Sequence, residues 1–220
     1  MSIATLILGQ SGTGKSTSLR NLNPDDVLLI QVVKKPLPFR SNNWKYLSKD
    51  GGSIYVSDNP EIIIKRMQQT SRPIIIIDDY QYVMANEYMR RSAETGFNKF
   101  TEIGRKTWDV FTEAAKLPDD KRIYILSHTE EADSGKTKMK TIGKMLDEKI
   151  TLEGMVTICL QTAIINEQNV FMTKNNGHNT VKSPIGLFEN EHVENDLNAV
   201  DKAICEYYGL TTETNQTTEA

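Results

Sequence analysis

Cysteine is scarce in this chain. Two occur in 220 residues, Cys159 and Cys205, each in an apolar stretch without metal-ligand spacing. A disulfide framework is excluded, and both are read as reduced core residues of a cytoplasmic protein. No apolar run approaches the ~20 residues needed to span a bilayer, so no membrane segment is expected. The first nine residues lack a basic n-region, and polar Gln10 and Ser11 follow at once, which argues against a signal peptide. An excess of one charge is missing too, with 26 Lys+Arg against 29 Asp+Glu and a net charge of −3. That excludes a globally basic nucleic-acid coat but leaves room for a local basic surface. Residues 211–220 are Thr-rich and lack large apolar side chains, and they read as a disordered tail. Residues 1–210 are expected to form one domain, since a chain this long buries roughly 70% of its unfolded surface without staples.

What is present alternates strand and helix signals. Strands are expected at 3–8, 27–33, 53–57, 74–77 and 122–127, the fourth being four consecutive isoleucines. A helix should start at Asn59-Pro60 and stop before Pro73. Another is expected at 81–91, and a third carries Ile103, Thr107, Val110, Phe111 and Ala114 at helical spacing and ends by Pro118. A polar stretch, 92–101, separates these two. After His128 comes a polar, lysine-rich excursion to Glu148. An apolar hairpin follows, 155–165 and 170–173, with 166–169 between its strands. The closing helix, 196–208, has Asn195 as cap, a stripe of Leu197, Val200, Ile204 and Tyr207, and Gly209 as terminator. Alternation of this kind predicts an α/β fold, a mostly parallel sheet flanked by helices, with a C-terminal hairpin and helix.

The strongest motif lies between the first strand and the helix expected after it. Gly9, Gln10, Ser11, Gly12, Thr13, Gly14, Lys15 and Ser16 match the phosphate-loop pattern G-x-x-x-x-G-K-[ST] at every fixed position. Glycines let the backbone wrap a phosphate with its N–H groups pointing inward. Lys15 is expected on the β/γ-phosphates, the Ser16 hydroxyl on Mg²⁺, and Thr17 near the α-phosphate. The cofactors implied are ATP and Mg²⁺. Downstream, the isoleucine strand ends in Asp78 and Asp79. An acid at the end of a strand beside the loop holds Mg²⁺, and Asp78 fits that place. Asp79 is then the neighbouring carboxylate, read as the base that orients water. His128 ends the 122–127 strand, where functional groups of parallel sheets gather. It is either a γ-phosphate sensor or a surface histidine without a role.

Two basic stretches remain. Residues 34–49 hold Lys34, Lys35, Arg40, Lys45 and Lys49 without one acid, interleaved with Phe39, Trp44 and Tyr46. Cations among aromatics suit single-stranded nucleic acid, although Phe39 and Trp44 equally suit a core. The second stretch carries Lys136, Lys138, Lys140 and Lys144 on an expected loop or hairpin. Either stretch is alternatively an ordinary solvated surface.

The order of these motifs, with Lys140-Thr141-Ile142-Gly143-Lys144-Met145-Leu146-Asp147 and Asn175-Asn176-Gly177-His178-Asn179-Thr180-Val181-Lys182-Ser183-Pro184, resembles phage nucleotide-binding proteins of the AAA-type ATPase group. Some members resemble a minimal RecA core and anneal single strands. The resemblance spans roughly residues 3–208. It implies a RecA-like P-loop NTPase, encoded by a phage or prophage, hydrolysing ATP in the host cytoplasm during recombination or replication. It further implies single-stranded DNA as partner, a homo-oligomer, and contact with a single-strand DNA-binding protein. By the same resemblance, the segment after His128 contacts DNA, and Lys174 or Lys182 supplies charge to a neighbour's γ-phosphate. One departure stands out. RecA-type enzymes carry a catalytic Glu after the second strand, where this chain has Val33-Lys34-Lys35. Asp79 substitutes, or the protein is mainly a nucleotide-gated switch. The competing readings are a small-molecule kinase on the same scaffold and a non-enzymatic, nucleotide-gated interaction protein.

Overall fold

The computed structural model describes residues 1–210; the tail expected at 211–220 lies outside the described residues. One eight-stranded sheet organises the chain. Its strands are β1 (Ile3–Leu8), β2 (Val27–Gln31), β3 (Ile54–Val56), β4 (Ile74–Asp78), β5 (Arg122–Ser127), β8 (Ile158–Ile165), β9 (Gln168–Met172) and β10 (His192–Glu194), in the order β10-β9-β8-β1-β5-β4-β2-β3. Strands from β8 through β3 run parallel, and at one edge β9 alone is reversed, pairing antiparallel with both β8 and β10. A separate hairpin, β6 (Thr129–Glu131) with β7 (Thr137–Met139), forms within the polar excursion.

The parallel strands are apolar throughout because both of their faces are covered. Leu6, Leu8, Ile75, Ile77, Ile123 and Ile125 pack on one side under α1 (Pro60–Gln69), α2 (Gln81–Arg90) and α3 (Asn98–Ala114). Ile7, Ile74, Ile76, Tyr124 and Leu126 face the other side, against α4 (Leu197–Tyr208) and a 3-10 turn, Ser16–Asn21. Each such side chain contributes about 1.5–3 kcal/mol through burial, so the two layers together hold the sheet. Asn59 caps α1 as expected, its side chain accepting from the N–H groups of Glu61 and Ile62, with Pro60 at the first position. The α/β architecture, the mostly parallel sheet, the hairpin and the closing helix agree with the sequence.

Several boundaries differ, each for a local reason. The helix after the phosphate loop is only the 3-10 turn Ser16–Asn21. Asn23 accepts from the Asp25 N–H and starts a second short turn at Pro24, leaving no room for more before β2. Helix α3 begins at Asn98, inside the expected polar stretch, because Phe100 stacks on Tyr88 of α2 at 5.6 Å and Lys99 donates to the carbonyls of Arg91 and Glu94 in the turns that follow α2. The β8–β9 turn is two residues, Asn166 and Glu167, both with positive φ, so β9 starts at Gln168. This is the twist-matched hairpin turn. β8 starts at Ile158, since residues 152–155 form a 3-10 turn. Asp196, not Asn195, caps α4 by accepting from the Asn198 N–H at 2.9 Å. Tyr207 is exposed, and the buried stripe is completed instead by Asp201 and Cys205.

Candidate nucleotide site

The site sits at the carboxyl ends of β1, β5, β4 and β2, brought together by register. Leu8 pairs with Ser127 and Gln31 with Asp78, so the residues that follow all open on one edge of the sheet. The loop from Gly9 to Lys15 rises from β1. A Cβ on Gly9 would lie 1.9 Å from Thr162 Oγ1, so only glycine lets the loop pass β8 this closely. Gly12 and Gly14 have φ of 81° and 99°, values that side chains rarely adopt. Thr13 and Thr162 share a hydroxyl hydrogen bond of 2.6 Å, and Thr162 also donates to the Leu8 carbonyl. Thr162 fixes the loop from outside its motif, and nothing in the sequence pointed to it.

Lys15 is buried and folds back, its ammonium donating to the carbonyls of Gly9 at 2.7 Å and Gln10 at 2.8 Å. Burial lowers its pKa to about 8, against the pull of Asp79 and Asp78. Ser16 Oγ donates to both carboxylate oxygens of Asp78, each at 2.9 Å, joining the loop to the acidic strand across 62 positions of sequence. Asp78 is 1% exposed, and burial with the neighbouring charge of Asp79 raises its carboxyl to about 6.

Asp79 leaves β4 with φ of 61°, the left-handed conformation that Asp tolerates better than most residues. Its neighbour Tyr80 is held by the Leu126 carbonyl through its N–H and by the Thr107 carbonyl through its hydroxyl. This sharp turn aims the Asp79 carboxylate at Lys35, with which it forms an ion pair, and at His128, whose Nε2 lies 3.3 Å from Oδ1. Burial acts to raise the Asp79 carboxyl, but the hydrogen bonds from His128 and Lys35 overcome it and hold it at about 2. A carboxylate so held is a poor proton acceptor, which weighs against the expected base. His128 follows Ser127 directly and lies beside the Tyr82 ring, edge-on at 6.2 Å. Its carbonyl accepts from the Lys140 N–H at 2.9 Å, so the β6–β7 hairpin is tied to the backbone of His128.

Lys35 was legible only as a departure from the family pattern. It occupies the turn after β2, where the Gln31 side chain holds its carbonyl at 3.0 Å. Burial acts against its charge, yet the Asp79 hydrogen bond and the nearby Asp78 raise its pKa. Gly12, Gly14, Lys15, Lys35, Asp79 and His128 thus line one cleft of about 320 Å³. Ser11, Ser16 and Thr17 also border it, while Gln10 enters through its carbonyl bonds to Lys15 and Thr13. Lys174 and Lys182 lie outside the cleft. The Lys174 ammonium donates to the Glu189 carbonyl at 2.7 Å, and Lys182 pairs through its backbone with Cys159 along β8.

Ser16 and Asp78 suit Mg²⁺, a hard cation usually bound through one or two carboxylates, water and substrate phosphates. Among the described residues no cluster of three or more His, Cys, Asp or Glu forms a self-sufficient metal site, so phosphate would have to complete the coordination.

The basic stretches separate. Phe39 packs edge-on against buried Trp44 at 6.1 Å, so both belong to the core rather than to a stacking surface. Lys34, Arg40, Lys45 and Lys49 stay exposed around Tyr46, itself 47% exposed beneath Lys34. The β6–β7 hairpin mixes its lysines with Glu130, Glu131 and Asp133, and Lys138 lies 3.6 Å from Glu130. Among the described residues no helix is long and apolar enough to cross a membrane.

No protein family and no curated protein sequence matches the chain. Among solved structures it is similar to the genome packaging NTPase B204 from Sulfolobus turreted icosahedral virus 2 in complex with ATP-gammaS. That chain is 9% identical, with 80% of this chain and 78% of that one covered and a TM-score of 0.38, a likeness too slight to carry an argument. The classification stands on the chain itself: a glycine-rich loop after the first strand, joined by Ser16 to an acid at the end of the parallel strand β4, makes this an α/β protein of the P-loop NTPase fold.

Proposed function

We propose that the protein binds a magnesium nucleoside triphosphate, ATP, on Gly9 to Thr17, hydrolyses it, and couples the nucleotide state to single-stranded DNA. The observation that carries the nucleotide part is the Ser16–Asp78 hydrogen bond pair beside buried Lys15, an assembled phosphate-and-metal end before any ligand arrives. Bound there, Mg²⁺ would neutralise phosphate charge. The chain's own work is to hold the phosphates with loop N–H groups and Lys15, and to exclude water with the apolar strands beneath.

In this reading Asp79 is an anchor rather than a base. It holds Lys35 and His128 at the mouth of the phosphate cleft, where an arriving γ-phosphate competes for both. Lys35 then supplies from within the same chain the positive charge that the family resemblance assigns to a neighbour's Lys174 or Lys182. Lys35→Ala is expected to lower turnover about 10²-fold with little change in nucleotide affinity, and Lys35→Arg to retain much of it. Parent-like turnover in Lys35→Ala would return the search to lysines acting between subunits of a homo-oligomer.

For DNA, the exposed cations of 34–49 offer the better surface, because Lys34 lies over an exposed tyrosine and the stretch, which includes Lys35, has no acid interspersed in its sequence. Replacing Lys34, Arg40, Lys45 and Lys49 with Ala should weaken single-strand binding. The slope of log K against log salt should fall by about 0.7 for each DNA phosphate that is no longer neutralised. The same change at Lys136, Lys138 and Lys140 should matter less, and the reverse ranking would move the DNA surface to the hairpin. ATP turnover with and without single-stranded DNA tests the coupling itself; equal rates would leave a nucleotide switch with some other partner.

A further inference from the structure

A cleft of about 660 Å³ lies beside the phosphate cleft, on the far side of the loop. Thr17 borders both, so one extended ligand can run from one into the other. The volume lies within the usual ~300–1,000 Å³ of small-molecule sites. Ile165, Val170 and Val193 supply its apolar walls, from the β8–β9 hairpin and β10. Half of its polar side chains are amides, Asn166, Gln168, Asn169 and Asn195, beside Thr17, Arg20, His192 and Glu194.

Asn195 is the anomaly in that wall. It is 2% exposed, yet neither its Nδ2 nor its Oδ1 has a hydrogen-bond partner. Burying an amide with both halves unpaired is costly, and such groups are uncommon in folded proteins. Nor is the residue loosely placed. Its carbonyl accepts from Arg20, which also binds Glu194 Oε1 at 3.1 Å, and Asp196 beside it caps α4. Its amide lies against the phosphate loop. A Cβ built on Gly14 would lie 3.0 Å from Asn195 Oδ1 and 2.9 Å from Asn169 Nδ2. Two amides therefore flank one glycine of the loop, where the two clefts meet.

We propose that this cleft holds the nucleoside of the bound nucleotide, and that Asn195 with Asn169 selects a 6-aminopurine base. This rests on the nucleotide reading above and adds the base-recognising residues. An amide offers one donor and one acceptor side by side, which matches the adenine edge, where an amino group adjoins a ring nitrogen acceptor. Guanine asks for something else: two donors for its O6/N7 edge, or a carboxylate for its N1–H and amino group. The wall's carboxylate, Glu194, is taken up by Arg20, and Arg20 is taken up by Glu194 and the Asn195 carbonyl. Asn169 is half-buried, and its rotation away from Gly14 toward an incoming base would open Asn195 to the same edge.

The test compares Mg-ATP, Mg-GTP and Mg-tripolyphosphate by calorimetric titration of the full chain and of Asn195→Ala, Asn169→Ala and Asn195→Asp. The parent should prefer ATP to GTP by about 10-fold or more, the usual scale of one bidentate pair. Both alanine variants should reduce that preference while tripolyphosphate affinity changes little, and Asn195→Asp should shift it toward GTP. Thermal unfolding checks that each variant folds, and half-buried Asn169 provides a test that does not open the core. A preference unchanged in Asn169→Ala and Asn195→Ala, or a parent that binds ATP and GTP equally, overturns the base assignment while the phosphate site stands. Failure of the parent to bind any of the three ligands removes the nucleotide reading and this inference with it.

Discussion

Lys15→Ala is expected to lower ATP turnover at least about 10²–10³-fold, the usual consequence of deleting a preorganised charge donor. Lys15 is 6% exposed and its ammonium is bonded to the carbonyls of Gly9 and Gln10, both in the loop, so the apolar core does not depend on it. Stability should move the other way. A lysine with a native pKa near 8 and an ordinary value of 10.5 disfavours folding fully below pH 8, a penalty relieved as pH rises toward 10.5. Removing the side chain lifts that penalty, so at neutral pH the variant should melt no lower than the parent. Asp78→Asn divides the roles further. It keeps a partner for Ser16 and retains part of the nucleotide affinity, but it weakens the hold on Mg²⁺ and loses most turnover. Phosphate release and nucleotide titration on both variants decide the matter. Parent-like hydrolysis by Lys15→Ala would show that the phosphate site has been misassigned.

The largest loss of stability is expected far from the loop. Arg122 opens β5 and donates through Nε and Nη2 to the two oxygens of Asp201 on α4, at 3.0 and 3.1 Å. Tyr124, fully buried, donates its hydroxyl to the same carboxylate at 2.6 Å. Asp201 thus satisfies a cation and a phenol in the layer between sheet and helix. Asp201→Ala leaves the Tyr124 hydroxyl and Arg122 Nε and Nη2 without a partner, only Nη1 keeping its bond to the Asp120 carbonyl, and is expected to destabilise the protein by about 3–5 kcal/mol, the scale for breaking a buried pair from one side. For a domain of this size that is a melting point lower by roughly 6–20 °C. The double variant Arg122→Met/Asp201→Leu should recover much of the loss, since the exposed helix face beyond it is untouched. A drop of less than about 1 kcal/mol in Asp201→Ala, the scale of a surface pair, would mean that water reaches the pair. The strand and helix positions of these residues were legible beforehand, but their pairing was not: they are 79 residues apart, and Asp201 read as one polar position on a helix.

The same division runs through the site. The loop and Asp78 were readable because each is a local chemical necessity. A loop that wraps this tightly needs glycines at fixed intervals, and an acid buried at the end of a central strand needs an apolar strand before it. Strand positions followed equally, since a strand covered on both faces must be apolar throughout. Lengths and caps were less secure. The turn after the loop stops at Asn21 because Asn23-Pro24 begins another turn, a competition between neighbouring signals that periodicity does not rank.

What sequence alone determined, then, is the class of fold, the phosphate loop and the acid that answers it, because these depend on residues adjacent along the chain or on one strand's burial. The tertiary structure decided everything that depends on strand order. Placing β5 between β1 and β4 brings His128 to Asp79, and placing β2 beyond β4 brings Lys35 to the same carboxylate, turning an expected base into an anchored anion. Setting β8 and the β9–β10 edge on the other side of β1 brings Thr162, Asn169 and Asn195 against a loop more than 145 residues earlier in the chain. Those encounters arise from the parallel register of strands far apart in sequence. No local pattern encodes them, because the interaction that selects each partner exists only once the sheet has formed.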